Sequence, residues 1–94
     1  MNTTKVDGKN KKHKVFLYTL STCGWCKMTK QYLKDNGVAH EYLDVDKCSK
    51  EEQKEAVEDL KRRNAPVAFP AIIINDKIII SGFKKDALAE ALGL

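Results

Sequence analysis

The chain has 94 residues, 43% of them apolar and 32% charged, with a formal net charge of +4. That is enough chain for one core and too little for a second domain, and no apolar run approaches the roughly 20 residues of a membrane span. Nor does the charge point to nucleic acid: five lysines and one aspartate fall in residues 1–14, and residues 15–94 carry twelve basic and twelve acidic side chains.

Residues 1–13 offer almost no apolar side chain to bury and are expected to form a flexible basic tail ahead of a folded domain at 14–94. Its lysines, and His13 with them, read as a solubilising extension; neither a nucleic-acid nor a membrane partner is expected. No signal-peptide core is visible, and three cysteines, an odd number, suit a reducing compartment better than a secreted disulfide framework. A cytoplasmic monomer is the expectation.

The first strand, about Lys14 to Leu20, is apolar enough to be buried on both faces. It leads into Ser21-Thr22-Cys23-Gly24-Trp25-Cys26-Lys27. Ser21 or Thr22 can cap the helix that follows, which runs to a stop at Asn36-Gly37 with Met28, Tyr32 and Leu33 on its core stripe. A second strand, about His40 to Val45, puts Glu41, Leu43 and Val45 on one side and His40, Tyr42 and Asp44 on the other. Strand, helix and strand in this order predict a right-handed crossover and parallel pairing. The Cys48 loop then opens on the same edge as Cys23, while His40 starts its strand at the opposite end, away from any metal site built on the cysteines. Ser49-Lys50-Glu51-Glu52 is a capping box that starts a second helix, with Ala56, Val57 and Leu60 inward and Lys61-Arg62-Arg63 as a solvated basic end. Both prolines fall in residues 65–70. Ala71–Ile74 and Ile78–Ile80, separated by Asn75-Asp76-Lys77, form a hairpin pattern, and Phe83, Ala87, Leu88, Ala91 and Leu92 mark a last helix after Ser81-Gly82. The expected fold class is α/β, ordered β-α-β-α-β-β-α, with a four-stranded mixed sheet covered by three helices.

The chemistry lies at the first strand-to-helix junction. A thiol in the first turn of a helix faces unpaired backbone N–H groups and the positive end of the macrodipole, which favour thiolate. Cys23 is therefore the candidate nucleophile, with Lys27 as a further positive charge nearby. Cys26, one turn on, is the candidate resolving thiol that attacks a mixed disulfide on Cys23. Trp25, between them, is expected to be partly exposed and to touch substrate. Cys48 reads as a spare loop thiol, with a third redox or regulatory thiol as the alternative.

This arrangement resembles the thioredoxin-fold family, and within it the glutaredoxins and NrdH-type redoxins, over about Lys14 to Leu92. The resemblance is carried by Cys23-Gly24-Trp25-Cys26, by Ala68-Phe69-Pro70 before the third strand, and by Ser81-Gly82-Phe83 after the fourth. It implies that Pro70 is cis and faces the cysteines, and that Gly24, Trp25, Phe69, Pro70, Ser81, Gly82 and Phe83 bind substrate, with the Phe69 backbone free to pair with an extended segment. It also implies no bound cofactor, reducing equivalents from thioredoxin reductase and NADPH or from glutathione, and a disulfide-containing target such as ribonucleotide reductase.

Three positions depart from the glutaredoxin pattern. Gly24 stands where proline is frequent, Leu20 stands where a lysine precedes the cysteines, and Lys84-Lys85 stand where an acid usually follows the glycine turn. Two glutathione contacts are thus missing or reversed in charge, which favours thioredoxin reductase as the reductant. The alternatives are a glutathione-dependent glutaredoxin and an iron–sulfur or metal carrier using the same cysteines.

Overall fold

The computed structural model describes residues 3–94. Its strands are β1 (Thr4–Val6), β2 (Val15–Thr19), β3 (His40–Asp44), β4 (Ala71–Ile74) and β5 (Ile78–Ser81), and its helices α1 (Gly24–Asp35), α2 (Lys50–Arg62) and α3 (Lys85–Leu92). The sheet order is β1-β3-β2-β4-β5; β2 and β3 are parallel and the other neighbours antiparallel.

Alternation along the central strands builds two cores. Val15 and Leu17 of β2 and Ile72 and Ile74 of β4 pack with Leu33, Leu88 and Leu92 from α1 and α3. Tyr18, Ala71 and Ile73 face the other way and pack with Ala56 and Leu60 of α2. Burying a leucine or isoleucine of this kind contributes about 1.5–3 kcal/mol, which is why β2 and β4 read as continuous apolar runs. The capping box at Ser49 and Glu52 is present. Asn75 and Asp76 both take positive φ in the hairpin turn, as short tight turns of this twist require.

Two expectations need correction. The sheet has five strands rather than four, and the segment taken for a flexible tail supplies the fifth. Thr4, Lys5 and Val6 pair antiparallel with Tyr42, Glu41 and His40. Asn10 then donates to the Gly37 carbonyl at 2.9 Å and accepts from Ala39 at 3.0 Å. These bonds are made by backbone, so a segment poor in apolar side chains still docks, and it covers what would otherwise be an open edge of β3. Gly8 permits the approach: a Cβ there would overlap the Gly37 carbonyl and stand 2.8 Å from the Ala39 nitrogen. Met1 and Asn2 of the expected tail lie outside the described residues. The second correction is Met28, expected in the core but 49% exposed; the buried stripe of α1 is Cys26, Thr29 and Leu33.

Candidate active site

The loop after β2 turns through a Cys23 N–H to Leu20 carbonyl bond of 3.1 Å, and α1 begins at Gly24. The helix cap is neither Ser21 nor Thr22 but Cys23 itself. Its backbone is extended (φ −85°, ψ 118°) and its Sγ accepts the N–H of Cys26 at 3.2 Å. Ser21 is instead engaged across the loop edge. Its N–H donates to Asp46 Oδ1 at 2.8 Å and its hydroxyl to Asp46 Oδ2, which holds the Asp46 carboxyl below the usual carboxylate range. The two loops at this edge of the sheet, after β2 and after β3, are thereby tied together.

Cys23 is half-buried, whereas Cys26 is fully buried. Burial, followed by hydrogen bonding to the Cys23 sulfur, pushes the Cys26 thiol well up, while the backbone at Leu20 and the Lys30 ammonium pull the other way. Part of that upward push belongs to Cys23 rather than to the fold, and it is relieved whenever the Cys23 sulfur is tied up in a covalent bond to another molecule.

The register that sets Ala71 between Tyr18 and Ser81 brings the Pro70 and Gly82 turns to the end of the sheet where the Cys23 loop leaves β2. Gly24 is exposed with open space on its Cβ side. Trp25 is 61% exposed, with its ring centroid 6.3 Å from that of Phe83, which in turn lies 6.0 Å from Tyr32. The Phe69–Pro70 bond is cis. The Pro70 carbonyl accepts the N–H of Gly82 at 2.8 Å, and Ser81 pairs with Ala71, so the proline and glycine turns form one unit. Gly82 has φ +87°, a conformation that glycine adopts freely. Among the described residues the Phe69 backbone makes no turn or loop hydrogen bond to other backbone.

Cys48 lies, as expected, on the loop after β3 at the same edge of the sheet as Cys23, while the two histidines lie at the opposite end of the strands. Cys48 ends the short 3-10 turn after β3; its thiol reaches the Asp44 carbonyl at 3.5 Å and is raised by burial and by Glu52. His40 lies at the start of β3, and His13 accompanies Asn75 at 3.0 Å. Among the described residues no group of three or more His, Cys, Asp or Glu is arranged to hold a metal, so a cluster on Cys23 and Cys26 would need further donors from another molecule. No described helix is long and apolar enough to cross a membrane.

Sequence reasoning missed a polar cluster close to Cys26. Thr19, fully buried at the end of β2, donates to Asp44 Oδ1 at 2.6 Å. Asp44 also accepts from Lys30 Nζ at 3.0 Å, and that ammonium sits 3.8 Å from the centroid of the Tyr42 ring. The available signal was Thr19, a hydroxyl in an otherwise apolar strand, opposite an acid in the paired register.

Comparison with known proteins gives a consistent result. The family profile described as glutaredoxin matches residues 15–79. The glutaredoxin of Methanosarcina mazei Go1 is 45% identical, with a TM-score of 0.88 over 100% of this chain and 90% of that one. The methanoredoxin of Methanosarcina acetivorans is 47% identical, with a TM-score of 0.81 over 86% of this chain and 85% of its own. The NrdH-redoxin of Escherichia coli, described as a glutaredoxin-like protein with a thioredoxin-like activity profile, is 27% identical, with a TM-score of 0.66 over 82% and 92%.

Proposed function

The chain belongs to the glutaredoxin family, and from that premise we propose that it is a dithiol–disulfide oxidoreductase in which Cys23 attacks and Cys26 resolves. The observation that carries the reading is the pairing of a half-buried Cys23 sulfur, held by the Cys26 amide at 3.2 Å, with a buried Cys26 thiol one helical turn on. The Cys23 thiolate attacks one sulfur of a target disulfide, forms a mixed disulfide and releases the first target thiolate. The Cys26 thiolate then attacks the Cys23 sulfur and releases the second, leaving a Cys23–Cys26 disulfide and a target reduced by two electrons. Cys26 is buried and raised in the resting dithiol. Formation of the mixed disulfide removes the Cys23 contribution to that rise and so favours Cys26 ionisation when it is needed.

Gly24, Trp25, Phe69, Pro70, Ser81, Gly82 and Phe83 form the substrate surface in this reading. Trp25 and Phe83 supply an aromatic platform, and the free Phe69 backbone supplies a ladder for an extended segment of the target. The reductant is thioredoxin reductase with NADPH, and the targets are reductases such as ribonucleotide reductase. Leu20 and Lys84-Lys85, which remove or reverse two glutathione contacts, support this choice, as does the likeness to a redoxin with a thioredoxin-like activity profile. Three unpaired thiols suit the cytoplasm.

The deciding assay is turnover of insulin disulfides with NADPH and either thioredoxin reductase or glutathione with its reductase, for wild type and Cys23→Ser. Turnover with thioredoxin reductase alone, lost in Cys23→Ser, is the expected result. Glutathione dependence would replace the reductant but keep the dithiol chemistry, and no turnover in either system would overturn the reading.

A further inference from the structure

Beside the Cys23 loop the surface carries a row of aromatic rings that ends in unpaired charge. Trp25 is 61% exposed; the Phe83 ring follows at 6.3 Å and the Tyr32 ring at 6.0 Å beyond it. Phe83 and Tyr32 are half-buried and pack on the core of Leu33, Leu88 and Leu92, which holds two of the three rings in place. Met28, one turn from Trp25 on α1 and 49% exposed, widens the apolar surface. Lys84 and Lys85 follow Phe83 directly and are exposed, and the Lys85 ammonium lies 5.7 Å from the centroid of the Tyr32 ring. The bond from the Gly82 N–H to the Pro70 carbonyl, 2.8 Å, fixes the start of this segment against the proline turn.

The helix that the two lysines start does not account for them. Lys84 is the N-cap of α3 without a side-chain cap bond, and Lys85 is its first residue. This is the positive end of the macrodipole, where an acid is favoured and a cation is not. Asp86, in the same first turn, is the acid that the position favours. Among the described residues neither lysine joins an ion pair, whereas Lys11, Lys14, Lys30, Arg62 and Arg63 do. Two ammonium groups against one carboxylate leave this end of the row positive, and the complement of such a surface is an apolar side chain followed by carboxylates. The two ring-to-ring steps of 6.3 and 6.0 Å make a path of up to about four extended residues at roughly 3.3 Å each. Glutathione has one residue on either side of its cysteine and no large apolar side chain, so it covers neither the rings nor the distance.

We propose that the disulfide attacked by Cys23 lies in an acidic, extended polypeptide segment, whose apolar side chain rests on Trp25 and Phe83 and whose carboxylates meet Lys84 and Lys85. This inference rests on the dithiol reading and names the class of target that it serves.

The test uses reduced Cys26→Ser, which keeps Cys23, and peptides whose one cysteine is capped by thionitrobenzoate. Cys23 bonds to the peptide sulfur, and the coloured thionitrobenzoate leaves as a thiolate; Cys23→Ser gives the background. Each peptide has a phenylalanine next to its cysteine, followed by two aspartates, two serines or two lysines. At about 0.05 M salt the aspartate peptide is expected to react at least about threefold faster than the serine peptide, and the lysine peptide slower, with the differences closing at about 0.5 M. Lys84→Gln with Lys85→Gln, which removes cations from a helix end that disfavours them, is expected to bring the aspartate-to-serine ratio close to one. Lys34→Gln with Lys61→Gln removes the same charge from exposed positions on the opposite face of α1 and on α2, and is expected to leave the ratio unchanged. Equal rates for the three peptides, a ratio that survives the loss of Lys84 and Lys85 or falls equally in the control pair, or faster reaction of glutathione capped in the same way than of the aspartate peptide would each overturn the proposal and leave the dithiol reading in place. Release no greater than the Cys23→Ser background with every peptide would overturn that reading and the proposal with it.

Discussion

The Cys26 amide donates to Cys23 Sγ across 3.2 Å, so one sulfur both caps α1 and fronts the proposed chemistry. Structure and reactivity can be separated at this position. Serine retains a capping oxygen and alanine does not. Cys23→Ala is expected to be less stable than Cys23→Ser by about 0.5–2 kcal/mol in urea unfolding under reducing conditions, with both inactive. Equal stabilities would mean that the sulfur does not hold the helix start.

Burial of Cys26 sets an order of reaction. A raised thiol stays protonated at neutral pH, so alkylation of the reduced protein should reach Cys23 first. The Cys26 rate should then climb about tenfold per pH unit on the alkaline side until the thiol ionises. Peptide mapping after timed iodoacetamide exposure reads both. Cys26→Ser, challenged with a disulfide substrate, is expected to accumulate a mixed disulfide on Cys23, visible as an adduct mass.

His40 predicts an acid-side loss of stability. Its folded-state pKa is lowered from 6.5 by burial. The stability linked to its neutral form is therefore present above the unfolded value and is lost as pH falls below 6.5 toward the folded value. The limiting slope is about 1.4 kcal/mol per pH unit for one proton. Chemical unfolding should show a loss of stability on that side in wild type, no steeper than this limit from His40, and a flatter profile in His40→Gln.

Gly8→Ala tests whether the N-terminal segment is part of the fold. The new Cβ would meet the backbone of Gly37 and Ala39, which cannot rotate away as a flexible side chain can. A loss of about 1–3 kcal/mol is expected, together with faster amide exchange at Asn10 and Ala39. A freely mobile tail would give wild-type stability and exchange.

On the α2 face, the Tyr18 hydroxyl donates to Asp59 Oδ2 at 2.6 Å, and Asp59 is also paired with Arg62 and Arg63. Tyr18→Phe is expected to cost about 1–2 kcal/mol, because a buried charge-assisted bond is lost and an acceptor loses one partner. Its measurement is the urea midpoint at constant m-value.

What could be read from residue order was what repeats or punctuates. The apolar runs of β2, β4 and β5, the Ser49 capping box, the Asn75-Asp76 turn and the spacing of Cys23 and Cys26 all have local causes, and each is found where its pattern placed it. What escaped depends on partners distant in sequence. β1 exists because the β3 edge is available to its backbone, and three residues of unremarkable composition carry no periodicity to announce it. Cys23 rather than Ser21 or Thr22 caps α1, and Ser21 is taken by Asp46 on another loop. Met28 was misplaced because helical spacing leaves the width of the buried stripe open, and Thr29 rather than Met28 occupies it.

Trp25 has one more consequence. It is the single tryptophan of the chain, mostly exposed, and flanked on both sides of the sequence by Cys23 and Cys26. Indole emission is quenched by a nearby disulfide and shifts when its ring leaves water. The protein therefore carries its own fluorophore at the point where the proposed electron exchange takes place. Oxidation and partner docking can be followed in real time in the unlabelled molecule, without a background signal from any other indole.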